Sequence, residues 1–260
     1  MELIKIKGNS YEEYEALIME REKLKKDAEQ YNMNYVYVFG DLIIESYNQK
    51  IKCIRKKLAI SFCQTAVNFG RIIDLVELND YLDGQTEEYQ KKLDEMIADN
   101  EICKNLKEIS EADLQKIKQI YRKIAKMLHP DLNPAVAGNE KLMELWNMAA
   151  SAYHCNDLQN LEELEIIIMC ALNEENLCDA DIVIPDLTEK IEALRKEIEE
   201  IRTTDPYMYK FLLADPVAVR KKKKELEAEI EEFKEYEKYL NSILREFIKE
   251  GVTFPWEDLQ

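Results

Sequence analysis

The apolar residues Leu226, Ile230, Phe233, Leu240, Leu244 and Phe247 step along the chain by three, four and seven. Only an α-helix brings that spacing onto one side. The same stepping recurs in Ile191, Leu194, Ile198 and Ile201, and in Ile43, Tyr47, Ile51, Ile54, Leu58 and Phe62. Across 260 residues there are only 6 Gly and 6 Pro to interrupt such helices, and 46% of the residues are hydrophobic. The chain therefore reads as all-α, with enough apolar side chain to build real cores.

The order of the segments suggests an organisation. After Ser10, "YEEYEALIMEREKLKKDAEQ" predicts a capped helix with Tyr14, Leu17 or Ile18, and Leu24 inward and Arg21 interrupting the stripe. A second helix is expected from about Met33 to Phe69, paired antiparallel with the first. Its opening segment "NYVYVFGD" would suit a strand. Only "LIKIK" near the start offers it a partner, so it is read as helix. Beyond Gly70 we expect a short helix, a turn at Asp83-Gly84 and a further helix. Residues 173–187, rich in acids and holding Pro185, read as a linker. Asp205-Pro206 and Asp215-Pro216 read as helix starts, and the last two seams as an antiparallel helical hairpin.

The expected division is an N-terminal helical region at 1–86, a helical-hairpin module at 87–172, the linker, and the C-terminal hairpin with its tail at 188–260. The run "RKKKK" (220–224) opens a coiled-coil helix whose acids follow it, and Phe254 and Trp256 of the tail are expected to cover the hairpin. The seams leave monomer and dimer both open.

Charge narrows the function. With 53 acids against 36 Lys and Arg and a sequence pI near 4.7, the averaged surface repels phosphate backbones and anionic lipid, which argues against nucleic-acid or membrane partners. The start lacks a signal peptide's apolar core, and "IIIMCAL" (166–172) is too short to cross a bilayer, so a soluble cytoplasmic protein is expected. The 6 Cys form no CxxC pair and with 2 His make no recognisable zinc site. They read as reduced, mostly buried thiols. No phosphate-binding glycine loop, GxSxG or HExxH is present, so neither enzyme nor cofactor is expected. His154 reads as an ordinary helix-end residue.

One stretch departs from the acidic average. From Leu114 to Leu128 there is no acid, while Lys116, Lys118, Arg122, Lys123 and Lys126 are all cationic. Ser110 predicts a cap, Ile117, Ile120 or Tyr121, Ile124 and Leu128 form the inward face, and Pro130 ends the helix. Repulsion along this helix costs stability unless something negative lies opposite, inside the protein or on a partner. A second helix fits "EKLMELWNMAASAYHCN", with Leu142, Leu145 or Trp146, Ala149 and Tyr153 inward. Two antiparallel helices so joined would hold His129, Pro130 and Asp131 at an exposed tip with little freedom left to lose on binding.

"YRKIAKMLHPDLNP" followed by "LWNMAASAY" resembles the J domain of DnaJ-type co-chaperones, in which a basic helix ends directly in His-Pro-Asp. Trp146 and the Ala152-Tyr153 pair match the spacing of that family's next helix. The resemblance covers about residues 108–160. It implies a J-domain-like helical hairpin, flanked here by long antiparallel coiled-coil helices, that docks on a DnaK-type chaperone and stimulates its ATP hydrolysis without performing chemistry. It assigns the contacts to His129, Pro130, Asp131, Tyr121, Arg122, Lys123 and Lys126, and leaves a protein client to the helical arms. The family's first-helix signature is missing, so "EEYQKKLDEMIADNEICKNL" must supply that helix, and Leu132 stands where a Lys commonly follows the tripeptide. The alternative is a coiled-coil interaction scaffold whose J-like module does not act on the chaperone. A third reading makes the tripeptide a helix-ending turn in which Asp131 caps the segment after it.

Overall fold

In the computed structural model, residues 9–105, 109–174 and 186–249 are described, and among them there is helix and no strand. The first helix, α1 (Asn9–Asn68), is continuous where two were expected. Between Gln30 and Met33 it meets neither Gly nor Pro, so nothing breaks the hydrogen-bond ladder. "NYVYVFGD" lies inside this helix, in keeping with its reading as helix. Gly70 lies two residues past the end of α1, and its φ of 63° suits a residue without Cβ. Arg71 N–H donates to the Ala66 carbonyl and Gly70 N–H to that of Val67, which closes the helix end.

The chain then forms α2 (Leu75–Asn105), α3 (Glu111–Leu128), the short α4 (Pro134–Ala137), α5 (Glu140–His154), α6 (Leu158–Glu174), α7 (Leu187–Thr203), α8 (Tyr209–Ala214) and α9 (Pro216–Lys249). The expected turn at Asp83-Gly84 is absent, and α2 runs through it. A lone helical glycine costs only about 1 kcal/mol. Here Asp83 is held by Arg55 of α1 at 2.7 Å, and Leu78 and Leu82 on the preceding turns are buried. Asp215-Pro216 does start a helix, since Asp215 Oδ1 accepts from Val217 N–H at 2.8 Å. Asp205-Pro206 lies instead in the turn before α8. Residues 175–185 of the expected linker and the tail from 250 lie outside the described residues.

Two compact units result. Of the described residues, one unit takes those up to Tyr31 and those from 109 to Met208; the other takes those from Asn32 to 105 and from Tyr209 to 249. Helix α1 contributes to both because it is unbroken.

In the first unit, α3 and α5 run antiparallel, as the pairs Tyr121–Tyr153 and His129–Trp146 show. The start of α1, α6 and α7 pack around them. Their shared core includes Ile18, Ile117, Ile124, Leu128, Leu142, Ala149, Leu161 and Ile168, all essentially inaccessible. In the second unit, α2 lies antiparallel to α1, with Arg55 on Asp83 and Asn100 on Asp41. α9 lies parallel to α1, with Lys234 on Glu45 and Lys56 on Glu237. "EEYQKKLDEMIADNEICKNL" thus belongs largely to α2, in the second unit.

The seams of α7 and α9 are apolar and inward as read, but they close on different partners. Ile191 and Leu194 enter the core of the first unit, and Leu244 and Phe247 join Ala59, Cys63, Leu78 and Leu82 in the second. An expected hairpin is thereby replaced by two separate packings, because α1 offers apolar surface in each unit. Cys53 and Cys63 are buried, with both thiol pKa values raised by burial, whereas Cys155 and Cys170 are exposed, so the thiols are less uniformly buried than expected.

Gly40 of α1 has a packing reason. A Cβ there would collide with Asn100 Oδ1. Asn100 is buried and its Nδ2 donates to Asp41, while its Oδ1 has no hydrogen-bond partner among the described residues. Gly40→Ala should therefore lower the melting temperature despite the gain of roughly 0.5–1 kcal/mol in helix propensity. In an Asn100→Ala background the same change should raise it. Thermal unfolding of the four proteins of this cycle checks both signs.

Candidate functional site

The tip between α3 and α5 is built by its own sequence. Ser110 Oγ accepts from Asp113 N–H at 3.1 Å and opens α3, and the helix buries Ile117, Ile120, Tyr121, Ile124, Ala125 and Leu128. His129 is its C-cap, with extended ψ of 123°, as a residue before proline must be. The His129 carbonyl accepts from the N–H groups of Leu132 and Asn133, and the Asn133 side chain donates back to the Met127 carbonyl. Leu132, which departs from the commoner Lys, is fully buried in the core. A cation at that position would have nowhere to put its charge.

His129 itself is 4% exposed, so it is no exposed tip. Its ring lies against Trp146, with centroids 4.7 Å apart. What covers it is α1. Arg21, the residue that interrupts the apolar stripe, brings Nη2 to 3.3 Å from His129 Nε2 and 3.4 Å from Asp131 Oδ2. Asp131 N–H also lies 3.1 Å from His129 Nδ1. A neutral imidazole accepts at one nitrogen, so one tautomer takes the Asp131 N–H and the other takes Arg21; the imidazolium does neither. Burial is the largest influence on His129 and lowers its pKa, with Arg21 and Lys25 adding to it, against the pull of Asp131 and Glu22. Burial likewise opposes the charge on Arg21, but Glu22, Glu197 and Asp131 more than offset this and hold its pKa above the ordinary value.

The basic face of α3 meets acids of its own chain. Lys126 pairs with Glu15 of α1 at 2.6 Å, Lys118 with Asp27 of α1 at 3.8 Å, and Lys123 with Glu165 of α6 at 3.1 Å. Tyr121 is buried, stacked on Tyr153 at 3.8 Å between centroids, and donates its hydroxyl to Glu22 of α1 at 3.3 Å. Burial, followed by the nearby Glu22, raises its pKa. Arg122 is exposed, and among the described residues no carboxylate pairs with it. Of the residues singled out from sequence, then, His129, Tyr121 and Lys126 are engaged by α1, Asp131 is half-engaged, Lys123 is held by α6, Pro130 shapes the turn, and Arg122 faces solvent.

α1 also grips the far end of α5. The buried ammonium of Lys26 donates to the Tyr153 carbonyl, one of the last in that helix, and lies 3.8 Å from the Tyr153 ring centroid. Its pKa falls to about 8, chiefly through burial and then through Lys118. His154, at the end of α5 as read, pairs with Glu29 of α1 at 2.7 Å. A cleft between α1 and α3 is lined by Met19, Lys23, Lys118, Tyr121 and Arg122 among others.

Sequence reasoning missed Glu15, Arg21, Glu22, Lys26 and Asp27 as part of this site. Their one legible sign was Arg21, a charge placed at an inward position of an amphipathic helix.

Among the described residues no helix is long and apolar enough to cross a membrane. Set against protein-family models, curated proteins and solved structures, the chain matches none.

The burial of neutral His129 predicts a pH dependence. In the unfolded chain the ring titrates near ~6.5. In the fold it titrates lower, so below that pH the unfolded state takes up the proton first and stability falls. The melting temperature of the wild type should drop more steeply from pH 7 towards pH 5.5 than that of His129→Gln. Parallel profiles would show that His129 is not held neutral.

Proposed function

We propose that the chain is a J-type co-chaperone that docks on a DnaK-type chaperone through His129-Pro130-Asp131 and the basic side of α3, and stimulates its ATP hydrolysis. The observation that carries this reading is the tripeptide's setting. It ends a basic helix in a turn fixed by Pro130, by two N–H donors to the His129 carbonyl and by the Trp146 ring. A turn so constrained loses little entropy on binding. Arg122, exposed and with no carboxylate partner among the described residues, is left for an acidic partner. Such charges set encounter rate and orientation. Stimulation is then a shift of the chaperone's population towards its hydrolysing state, with this chain as the ligand.

A second reading has its own observation. His129 is buried and Arg21 lies on both His129 and Asp131, which is what a purely structural use of the hairpin inside an interaction scaffold would require.

Single-turnover ATP hydrolysis by a DnaK-type chaperone separates the two. At saturating concentration the wild type should accelerate hydrolysis, and Asp131→Asn should abolish the acceleration. Removing one half-exposed ion pair costs only about 0.2–1 kcal/mol, so the variant should keep its helicity and nearly its melting temperature. Arg122→Ala should raise the half-saturating concentration at low salt and matter less at high salt. A large loss of stability in Asp131→Asn, with no acceleration by either protein, would favour the scaffold.

A further inference from the structure

The first turns of α1 do on α3 what an acidic partner would do. Glu15 and Asp27, three turns apart on α1, face Lys126 and Lys118. Glu22 takes the Tyr121 hydroxyl, and Arg21 stands on the tripeptide. All but the Lys118 pair fall on residues that the co-chaperone reading assigns to docking, and they come from a segment some 100 positions away in the chain. We propose that the segment of α1 from Tyr14 to Ala28 is an autoinhibitory cover on the chaperone-docking face, held by Arg21 on His129 and Asp131 and by Glu15 and Asp27 on Lys126 and Lys118. This rests on the co-chaperone reading above.

The cover has two kinds of attachment, and they differ in what they do. Tyr14, Ile18, Leu24 and Ala28 are buried, which favours the closed position irrespective of charge. The polar contacts decide where it sits. Arg21 is itself bridged to α7 through Glu197 at 3.4 Å, and Glu197 is shared with Lys25 at 2.8 Å. Arg195 and Arg202 of α7 bind Glu13 and Glu20 of α1. α7 thus buttresses the face of α1 that reaches the tripeptide. A chaperone binding this face competes with the cover, so its apparent affinity is lowered by the fraction of molecules that are open. Weakening the polar contacts raises that fraction.

The test uses the full chain with Glu15→Gln, Arg21→Gln and Asp27→Asn combined, in the same single-turnover assay. Glu15→Gln and Asp27→Asn keep the shape of the side chain and Arg21→Gln shortens it, so circular dichroism and thermal unfolding are used to establish that the variant folds. Three such pairs together should lower the half-saturating concentration about 5- to 30-fold relative to wild type. Adding Asp131→Asn should abolish stimulation, which shows that the gain runs through the tripeptide. Arg21→Lys keeps a cation on Asp131 and, as a single change, should stay closer to wild type than Arg21→Gln. Equal half-saturation by wild type and triple variant, with Asp131→Asn silent, would overturn the cover and leave the co-chaperone reading standing. No stimulation by any form would overturn both.

Discussion

Like charge along α3 has to be answered from outside the helix, and much of the first unit depends on that. Lys118, Lys123 and Lys126 find carboxylates on α1 and α6, because none exists on their own helix between Leu114 and Leu128. Individually such pairs contribute little in water. Their effect is on arrangement: they select which side of α1 faces α3, and that choice brings Arg21 onto His129 and Asp131. An antiparallel course of α1 along α3 is the only one that puts Glu15 near Lys126 and Asp27 near Lys118 together.

Beneath the charges lies an aromatic and apolar seat. Tyr121 and Tyr153 stack nearly parallel, at 7° between planes, with Trp146 beside Tyr121 and His129 against Trp146. Small residues on α5, Ala149 and Ala152, are buried against this layer and allow a close helix approach. The tripeptide is therefore rigid for two reasons, a turn fixed in sequence and a ring packed in tertiary structure. Rigidity serves docking and structural use alike. In the proposed reading α1 and the chaperone compete for the same groups, so that function turns on exchange between them and less on the tripeptide's geometry alone.

Helix faces were legible because periodicity reports burial without regard to partner. The inward sets of α3 and α5, the Ser110 cap and the stop at Pro130 all appear as read. Turns were less legible. Asp83-Gly84 carries turn residues, yet Arg55 on Asp83 and the buried Leu78 and Leu82 keep α2 helical. Local preference amounts to about 1 kcal/mol there, and tertiary contacts outweigh it. The seams of α7 and α9 are alike in sequence, and nothing in their spacing tells a hairpin from two separate packings on α1.

The sequence by itself determined that this chain is helical, which side of each helix turns inward, and that a basic helix ends in a fixed His-Pro-Asp turn. Those are local properties, set by spacing, capping and the restricted backbone around proline. Only the tertiary structure decided what lies on that turn. Arg21 and His129 meet across 108 positions, and Lys126 and Glu15 across a similar span. A charge at an inward helix position announces that it will be answered, but the partner depends on which helices pack together, and that is settled by the shape and burial of the whole unit.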